Sequence, residues 1–332
     1  MWYNMSERAL RRISLHKLMD LKVDYAFKQL FGSEKNKNIT IVFLNAILNR
    51  SSENRINEVT FVNREIGGEF VEDKESRLDI VVRTQKNELI NIEMQLSNQN
   101  NMMKRTLYYW ARLFATQIDK GIGYEKLLPT ITINICDFAL FETDRYHSIF
   151  HLHENHSLDR LAPEDDVLEI HFIEMRKFIQ SWYDEKLDPF DDILVRWLLL
   201  LGMVDARKQR VYDDIYKELE ALAMNDERIR EAFETWEELS RTPDEKIAYE
   251  SRLKTIIDAE ARLADARSMG ENEGRKEGIK EGIEKGIEKG EKNKAIGVII
   301  EGAKKGLETS MLADLTGHTV EEVEQILKEH RI

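Results

Sequence analysis

Apolar residues recur along the first half of the chain with two different periods. At 18–31 they fall at helical spacing, with Val23, Phe27, Leu30 and Phe31 on one face, Asp20, Asp24 and Lys28 on the other, and Gly32 as a stop. The almost wholly apolar stretch 38–48 predicts a second, buried helix. The period then drops to two. Alternating runs at 59–66, 77–84, 88–96, 130–137, 146–152 and 167–173 predict six strands. Between the third and fourth, residues 102–120 predict an amphipathic helix with Met103, Leu107, Trp110, Phe114 and Ile118 on its apolar stripe, closed by Gly121. This order of helices and strands is that of an α/β fold, not of a sandwich or a bundle.

From residue 188 no strand pattern survives, and the chain reads as helical to about 265. Glycine then occupies every fourth position, Gly270, Gly274, Gly278, Gly282, Gly286 and Gly290, interleaved with Ile279, Ile283, Ile287 and many Glu and Lys. Each interior glycine costs a helix about 1 kcal/mol. The segment therefore reads either as a weak tethering helix or as a seam between copies. A lone charged helix rich in glycine is unstable, which favours a homo-oligomer formed through the C-terminal helices, a dimer in the simplest case. The tail, 294–332, gives three short helical patterns with a turn at Thr316, Gly317 and His318, much like a small helix-turn-helix. Glu321, Glu322 and Glu324 argue against that tail reading DNA. The resulting map is an α/β region at 15–180, a helical region at 187–265, the glycine-laddered segment at 266–293 and the tail at 294–332.

Composition narrows the class. The chain has 332 residues, enough for two or three domains, and 42% hydrophobic with 8% aromatic residues excludes global disorder. The longest apolar stretch, 197–204, is far short of the roughly 20 residues that span a bilayer, so no membrane association is expected. No secretory leader is legible, and the lone Cys136 lies in an alternating apolar run, which predicts a buried, reduced thiol and a cytoplasmic protein. A net charge of −13 argues against nucleic acid at first. The first 130 residues, however, carry 20 Lys and Arg against 16 Asp and Glu, so the acidity belongs to the back half.

The chemistry concentrates in two neighbouring strands, 74–83 and 88–96. Leu78, Ile80 and Val82 alternate in the first; Ile90, Ile92, Met94 and Leu96 alternate in the second. A hairpin that puts both apolar sets on one side needs an odd loop, 85–87, pairing Leu78 with Met94, Ile80 with Ile92 and Val82 with Ile90. That register also sets Asp79 opposite Glu93. Two like charges facing each other at roughly 5 Å destabilise a sheet. A divalent cation such as Mg²⁺ offsets that cost, since it is held by one or two carboxylates plus waters and phosphate oxygens. Gln95 shares the face with Glu93 and can orient a water or a phosphate. The bland alternative is two solvated acids on an exposed sheet face. Arg105 and Arg112, seven apart on one helix face, are candidates for phosphate contact; Lys74 and Arg77, flanking Asp79, are weaker ones. His147, His151, His153 and His156 crowd one stretch, but no cysteine joins them as a zinc ligand.

The runs LKVDYAFKQLFG (21–32), ESRLDIVV around Asp79, NIEMQ with Glu93 and Gln95, and RTLYYWARLFATQIDKGIGYEKL (105–127) together resemble the Rpn family of recombination-promoting nucleases and transposases, a branch of the PD-(D/E)XK nucleases. The resemblance spans about 15–175. It implies a PD-(D/E)XK nuclease-like core, a central mixed sheet flanked by helices, followed by a mostly helical C-terminal region. It implies Mg²⁺- or Mn²⁺-dependent endonucleolytic cutting of DNA, linked to recombination or mobile elements, with Asp79 and Glu93 as metal ligands and Gln95 at the catalytic position usually held by a lysine. By the same resemblance Asp24 is a candidate third carboxylate for the metal; pairing with Lys28 one turn on is its alternative. Two departures stand out: Leu78 replaces the name-giving proline, and Gln95 replaces the lysine. A neutral amide supplies no positive charge, so a catalytically inactive DNA- or protein-binding scaffold on a nuclease fold is the competing reading.

Overall fold

The computed structural model describes residues 14–62, 79–98, 101–118, 121, 123–161 and 167–331. It divides into two compact units, Met1–Asp258 and Ala259–Ile332.

The first unit opens with α1 (Asp24–Phe31) and α2 (Lys37–Ile47). The helix expected from Leu18 starts only at Asp24, because the residues before it are spent differently. Asp20, expected on a solvent face, is buried. Lys22 lies 2.8 Å from it, and its ammonium also donates to the carbonyls of Leu201 and Val204. The Asp20 carboxylate accepts from the backbone N–H groups of Lys22 and Ala206. Satisfying so many donors and acceptors is what makes burial of an ion pair tolerable. These bonds hold 18–23 as an entry strap with a turn in it, closed by Val23 N–H donating to the Asp20 carbonyl at 3.1 Å.

Six strands follow: β1 (Val59–Phe61), β2 (Ile80–Thr84), β3 (Leu89–Gln95), β4 (Thr130–Cys136), β5 (His147–Phe150) and β6 (Leu168–Glu174). They form one mixed sheet in the order β1-β2-β3-β4-β6-β5. β1, β2 and β3 pair antiparallel, β3, β4 and β6 parallel, and β5 closes the edge antiparallel to β6. Parallel pairing of β3 with β4 requires a crossover, which α3 (Met102–Ala115) provides.

Alternation gives the sheet two unlike faces. Ile80, Val82, Ile90, Ile92, Met94, Ile131, Ile133 and Ile135 join one core with α1 and α2. After α4 (Met175–Tyr183), that core takes in α5 (Ile193–Gly202), α6 (Asp213–Asn225) and α7 (Glu227–Arg241) as well. The helices expected as a region of their own therefore share their packing with the sheet. The rings of Phe31, Phe43 and Trp197 lie 4.5 to 6.1 Å apart and fix α1 against α2 and α5. The polar side of α1, with Asp24 and Lys28, is held in place by that packing.

The opposite face is polar under α3. The buried positions of α3 are Met102, Thr106 and Leu113, whereas Met103 and Leu107, expected on the buried stripe, are 39% and 51% exposed. Thr106 explains the rotation: it donates to Asn134 Oδ1 at 3.1 Å, and Asn134 Nδ2 donates to the His171 carbonyl. Buried strand amides need partners, so the helix turns its threonine inward rather than its longest apolar side chains. Trp110 stays half-buried and donates to the Thr130 carbonyl.

In the second unit, the end of α8 (Pro243–Lys304), α9 (Thr309–Thr316) and α10 (Val320–Glu329) surround a small core of Ile299, Leu312, Ala313 and Val323. Gly317, at φ 69°, ends α9 in the left-handed conformation that glycine tolerates. Thr319 and Glu322 form a capping box that starts α10. Along α8 a Cβ added at each glycine from Gly270 to Gly290 would meet nothing within 4 Å, and Ile279, Ile283 and Ile287 are exposed. Among the described residues no helix is long and apolar enough to cross a membrane.

Candidate active site

The β2–β3 hairpin adopts the register that the alternating pattern requires. Ile80 pairs with Ile92 and Val82 with Ile90. The loop 85–87 is closed by Thr84 N–H donating to the Glu88 carbonyl at 3.0 Å, with Asn87 at φ 64°. Leu78, expected opposite Met94, lies outside the described residues, as do Lys74 and Arg77.

One step beyond Ile80 and Ile92 the two acids meet. Asp79 N–H donates to Glu93 Oε1 at 3.2 Å, and Asp79 Oδ2 accepts from Met94 N–H at 2.9 Å. Both residues are buried. Burial and the neighbouring Asp79 charge push the Glu93 carboxyl up to about 8, a rise that the Arg105 guanidinium partly offsets. Burial also raises Asp79, against the pull of Lys28. Gln95 Nε2 donates to Glu93 Oε2 at 3.2 Å. Asp79, Glu93 and Gln95 thus form one cluster.

The other candidates distribute around it. Lys28 Nζ sits 2.6 Å from Asp79 Oδ1 and 3.8 Å from Asp24 Oδ2. Asp24 is itself engaged by Arg252 of α8, whose Nε lies 2.8 and 3.0 Å from its two oxygens. The expected third metal carboxylate is therefore separated from Asp79 by an ammonium and held by a guanidinium. Among the described residues no group of three or more His, Cys, Asp or Glu is arranged to hold a metal. Arg105 lies over the Tyr109 ring at 5.3 Å, and its Nε is buried with no hydrogen-bond partner among the described residues. Arg112 points outward, donating to Tyr108 Oη at 2.6 Å. The histidines form other contacts: His147 bonds His171 at 2.9 Å, His171 bonds Glu169 at 2.6 Å, and His153 bonds the Leu158 carbonyl.

The donor set suits a hard divalent cation. Two carboxylates and a side-chain amide offer oxygen ligands only, and Mg²⁺ needs no more than one or two carboxylates from the protein. On the same sheet face the hydroxyl of Thr132 is buried without a hydrogen-bond partner among the described residues, and the Asn91 amide lies close enough to Glu93 to favour its ionised carboxylate. A buried hydroxyl left in that condition fits a site built to take up water and ions.

Lys28, Arg252 and Tyr109 are the members that sequence reasoning missed. Lys28 was legible only as a partner for Asp24. Nothing local marks Arg252, which is far from Asp24 along the chain. Neither a curated protein nor a solved structure matches the chain. A family model described as PD-(D/E)XK nuclease family transposase matches residues 21–266, which include both acids, Gln95 and the helices that complete the core. With most of its length matched, and with the mixed sheet and its carboxylate hairpin in place, the chain belongs to the PD-(D/E)XK nuclease family of transposases.

Proposed function

We propose that this protein is a DNA endonuclease dependent on Mg²⁺ or Mn²⁺, acting in the cytoplasm on recombining or mobile DNA. The observation that carries the reading is the buried, side-by-side pair of Asp79 and Glu93, with Glu93 pushed up to about 8. A fold without a cation to hold gains nothing from burying two acids together, because each desolvates the other's charge at a cost.

In the proposed reaction a water oxygen forms a bond to phosphorus as one ester P–O bond breaks. The water gives up one proton to solvent, and the leaving sugar oxygen takes one up. Asp79 and Glu93 hold the cation, which when bound supplies Lewis-acid stabilisation of the phosphate and lowers the pKa of water. The Gln95 amide orients the water or a phosphate oxygen. Arg105, beside Glu93 and with a buried Nε that has no partner among the described residues, offers a charge-assisted bond to a non-bridging phosphate oxygen. Arg112, half-buried on α3 against Tyr108, contacts the backbone further along the duplex. The lone Cys136, buried and raised to about 12, takes no part and suits a reducing compartment.

The exposed isoleucines and open glycine positions of α8 support a homo-oligomer through the C-terminal helices. A second reading, an inactive DNA- or protein-binding scaffold, is favoured by one observation: Gln95 is neutral and spends its amide on Glu93. Incubating the purified full chain with supercoiled plasmid, with and without Mg²⁺, separates the two. Nicked or linear products only in Mg²⁺ support the nuclease. Tight DNA binding with no product in either Mg²⁺ or Mn²⁺ supports the scaffold.

A further inference from the structure

Gln95 leaves the sheet without the cation that its position holds in the wider superfamily. A cation reaches Asp79 from elsewhere. Lys28 Nζ lies 2.6 Å from Asp79 Oδ1, and its side chain is 19% exposed, so it is largely shielded from solvent beside the proposed metal ligand. It arrives there because Phe27, Leu30 and Phe31, on the opposite side of α1, are fully buried. A lysine in a solvated pair wanders among rotamers; this one is anchored at its base by core packing and guided at its tip by two carboxylates.

Those carboxylates have separate jobs. Arg252 Nε, Asp24, Lys28 Nζ and Asp79 form a line of alternating charges, at 2.8, 3.8 and 2.6 Å. Asp24 is one turn before Lys28 on the same helix, the spacing at which side chains meet. With both its oxygens near Arg252 Nε, Asp24 cannot swing toward Glu93 without abandoning that partner. It stands as a fixed negative point that keeps the ammonium at the site.

We propose that Lys28 is a catalytic residue of this nuclease, supplying from the first helix the positive charge that Gln95 cannot, with Asp24 and Arg252 as its positioning residues. The proposal rests on the nuclease reading above. Its contribution is electrostatic, toward the phosphate oxygens that gain charge as water attacks. Asp24 is thereby a support for the lysine instead of a metal ligand.

The test uses the full chain as Lys28→Met, Lys28→Arg, Asp24→Asn and the double variant Lys28→Met/Gln95→Lys. Thermal unfolding confirms that each is folded. Single-turnover plasmid cleavage and Mn²⁺ binding by titration calorimetry without DNA are the two readouts. Lys28→Met is expected to cleave on the order of 100-fold more slowly, the size of effect seen when one preorganised donor is removed. It is also expected to bind Mn²⁺ more tightly, because Asp79 loses a competing ammonium. A lysine that only braced the fold would weaken both. The double variant should recover at least about tenfold of the lost rate, Lys28→Arg should fall between, and Asp24→Asn should lose rate while still binding Mn²⁺. An active parent whose Lys28→Met variant cleaves equally fast overturns the proposal while leaving the nuclease reading intact. So does a folded Lys28→Met with weaker Mn²⁺ binding and no rescue in the double variant. A parent that neither cleaves nor binds Mn²⁺ removes the nuclease reading, and this proposal falls with it.

Discussion

Asp79 and Glu93 clasp each other across the hairpin: the backbone N–H of Asp79 donates to the Glu93 carboxylate at 3.2 Å, and the Asp79 carboxylate accepts the next N–H, that of Met94, at 2.9 Å. Each acid is fixed by the other's strand, so neither can leave the site without breaking the end of the β2–β3 pairing.

Glu93→Gln should trade activity for stability. Above about pH 8, where the carboxyl is ionised, the amide keeps an oxygen for Asp79 N–H and removes a buried charge, so the metal-free melting temperature should rise there; each kcal/mol gained is worth about 2 to 4 °C in a domain of this size. Cleavage should fall by about 100-fold or more. Calorimetric melting and plasmid nicking of the same preparation check both halves. A variant that melts lower and still cuts refutes the assignment.

The same carboxyl predicts a pH dependence. Its folded value is raised from 4.5 to about 8, so between those values the native state holds the proton more tightly than the unfolded chain does. Stability contributed by the protonated carboxyl is complete below about 4.5 and is lost as pH rises through about 8. Denaturant titrations of the metal-free parent and Glu93→Gln across that range should diverge, the parent losing ground with rising pH. Parallel curves count against a buried, strained Glu93.

Gln95→Ala should slow cleavage without abolishing Mn²⁺ binding, because the amide orients rather than holds. Gln95→Lys should retain measurable activity. Calorimetric titration with Mn²⁺ beside a cleavage time course distinguishes them; loss of Mn²⁺ binding in Gln95→Ala would make the amide a ligand.

Arg105→Ala should weaken DNA binding and reduce the salt slope of log K by about one, as for the loss of one phosphate contact. Arg112→Ala should act in the same direction but less, since its guanidinium is already engaged by the Tyr108 hydroxyl and ring. Fluorescence anisotropy with a short duplex in Ca²⁺, from low to moderate salt, gives both slopes. Equal slopes for parent and Arg105→Ala would remove that residue from the interface.

Sedimentation of the full chain tests the seam proposed along α8. A dimer at tens of micromolar fits; a monomer at that concentration leaves the glycine repeat as a tether.

The hairpin and its acids were legible in the sequence because strand side chains alternate with a period of two. Aligning the apolar residues of 78–82 and 90–94 leaves one register, and that register carries Asp79 to Glu93 with no knowledge of the rest of the fold. Over the described residues the same local periodicity placed α2 and all six strands to within a few residues, while 63–66 and 77–78 of the first two expected strands lie outside those residues. Local pattern had no hold on three other features. The start of α1 depends on Asp20 and Lys22 finding partners at Leu201, Val204 and Ala206. The inward face of α3 depends on Asn134, a strand residue whose unmet donors and acceptors outweigh the burial of Met103 and Leu107. Lys28 reaches Asp79, and Arg252 reaches Asp24, only because the α1, α2 and α5 core fixes α1 against the sheet end and the first turns of α8 beside it. Periodicity records which side of an element is apolar; which element that side meets, and so which charge ends beside which, is set by packing between segments hundreds of residues apart, and only the folded chain decides it.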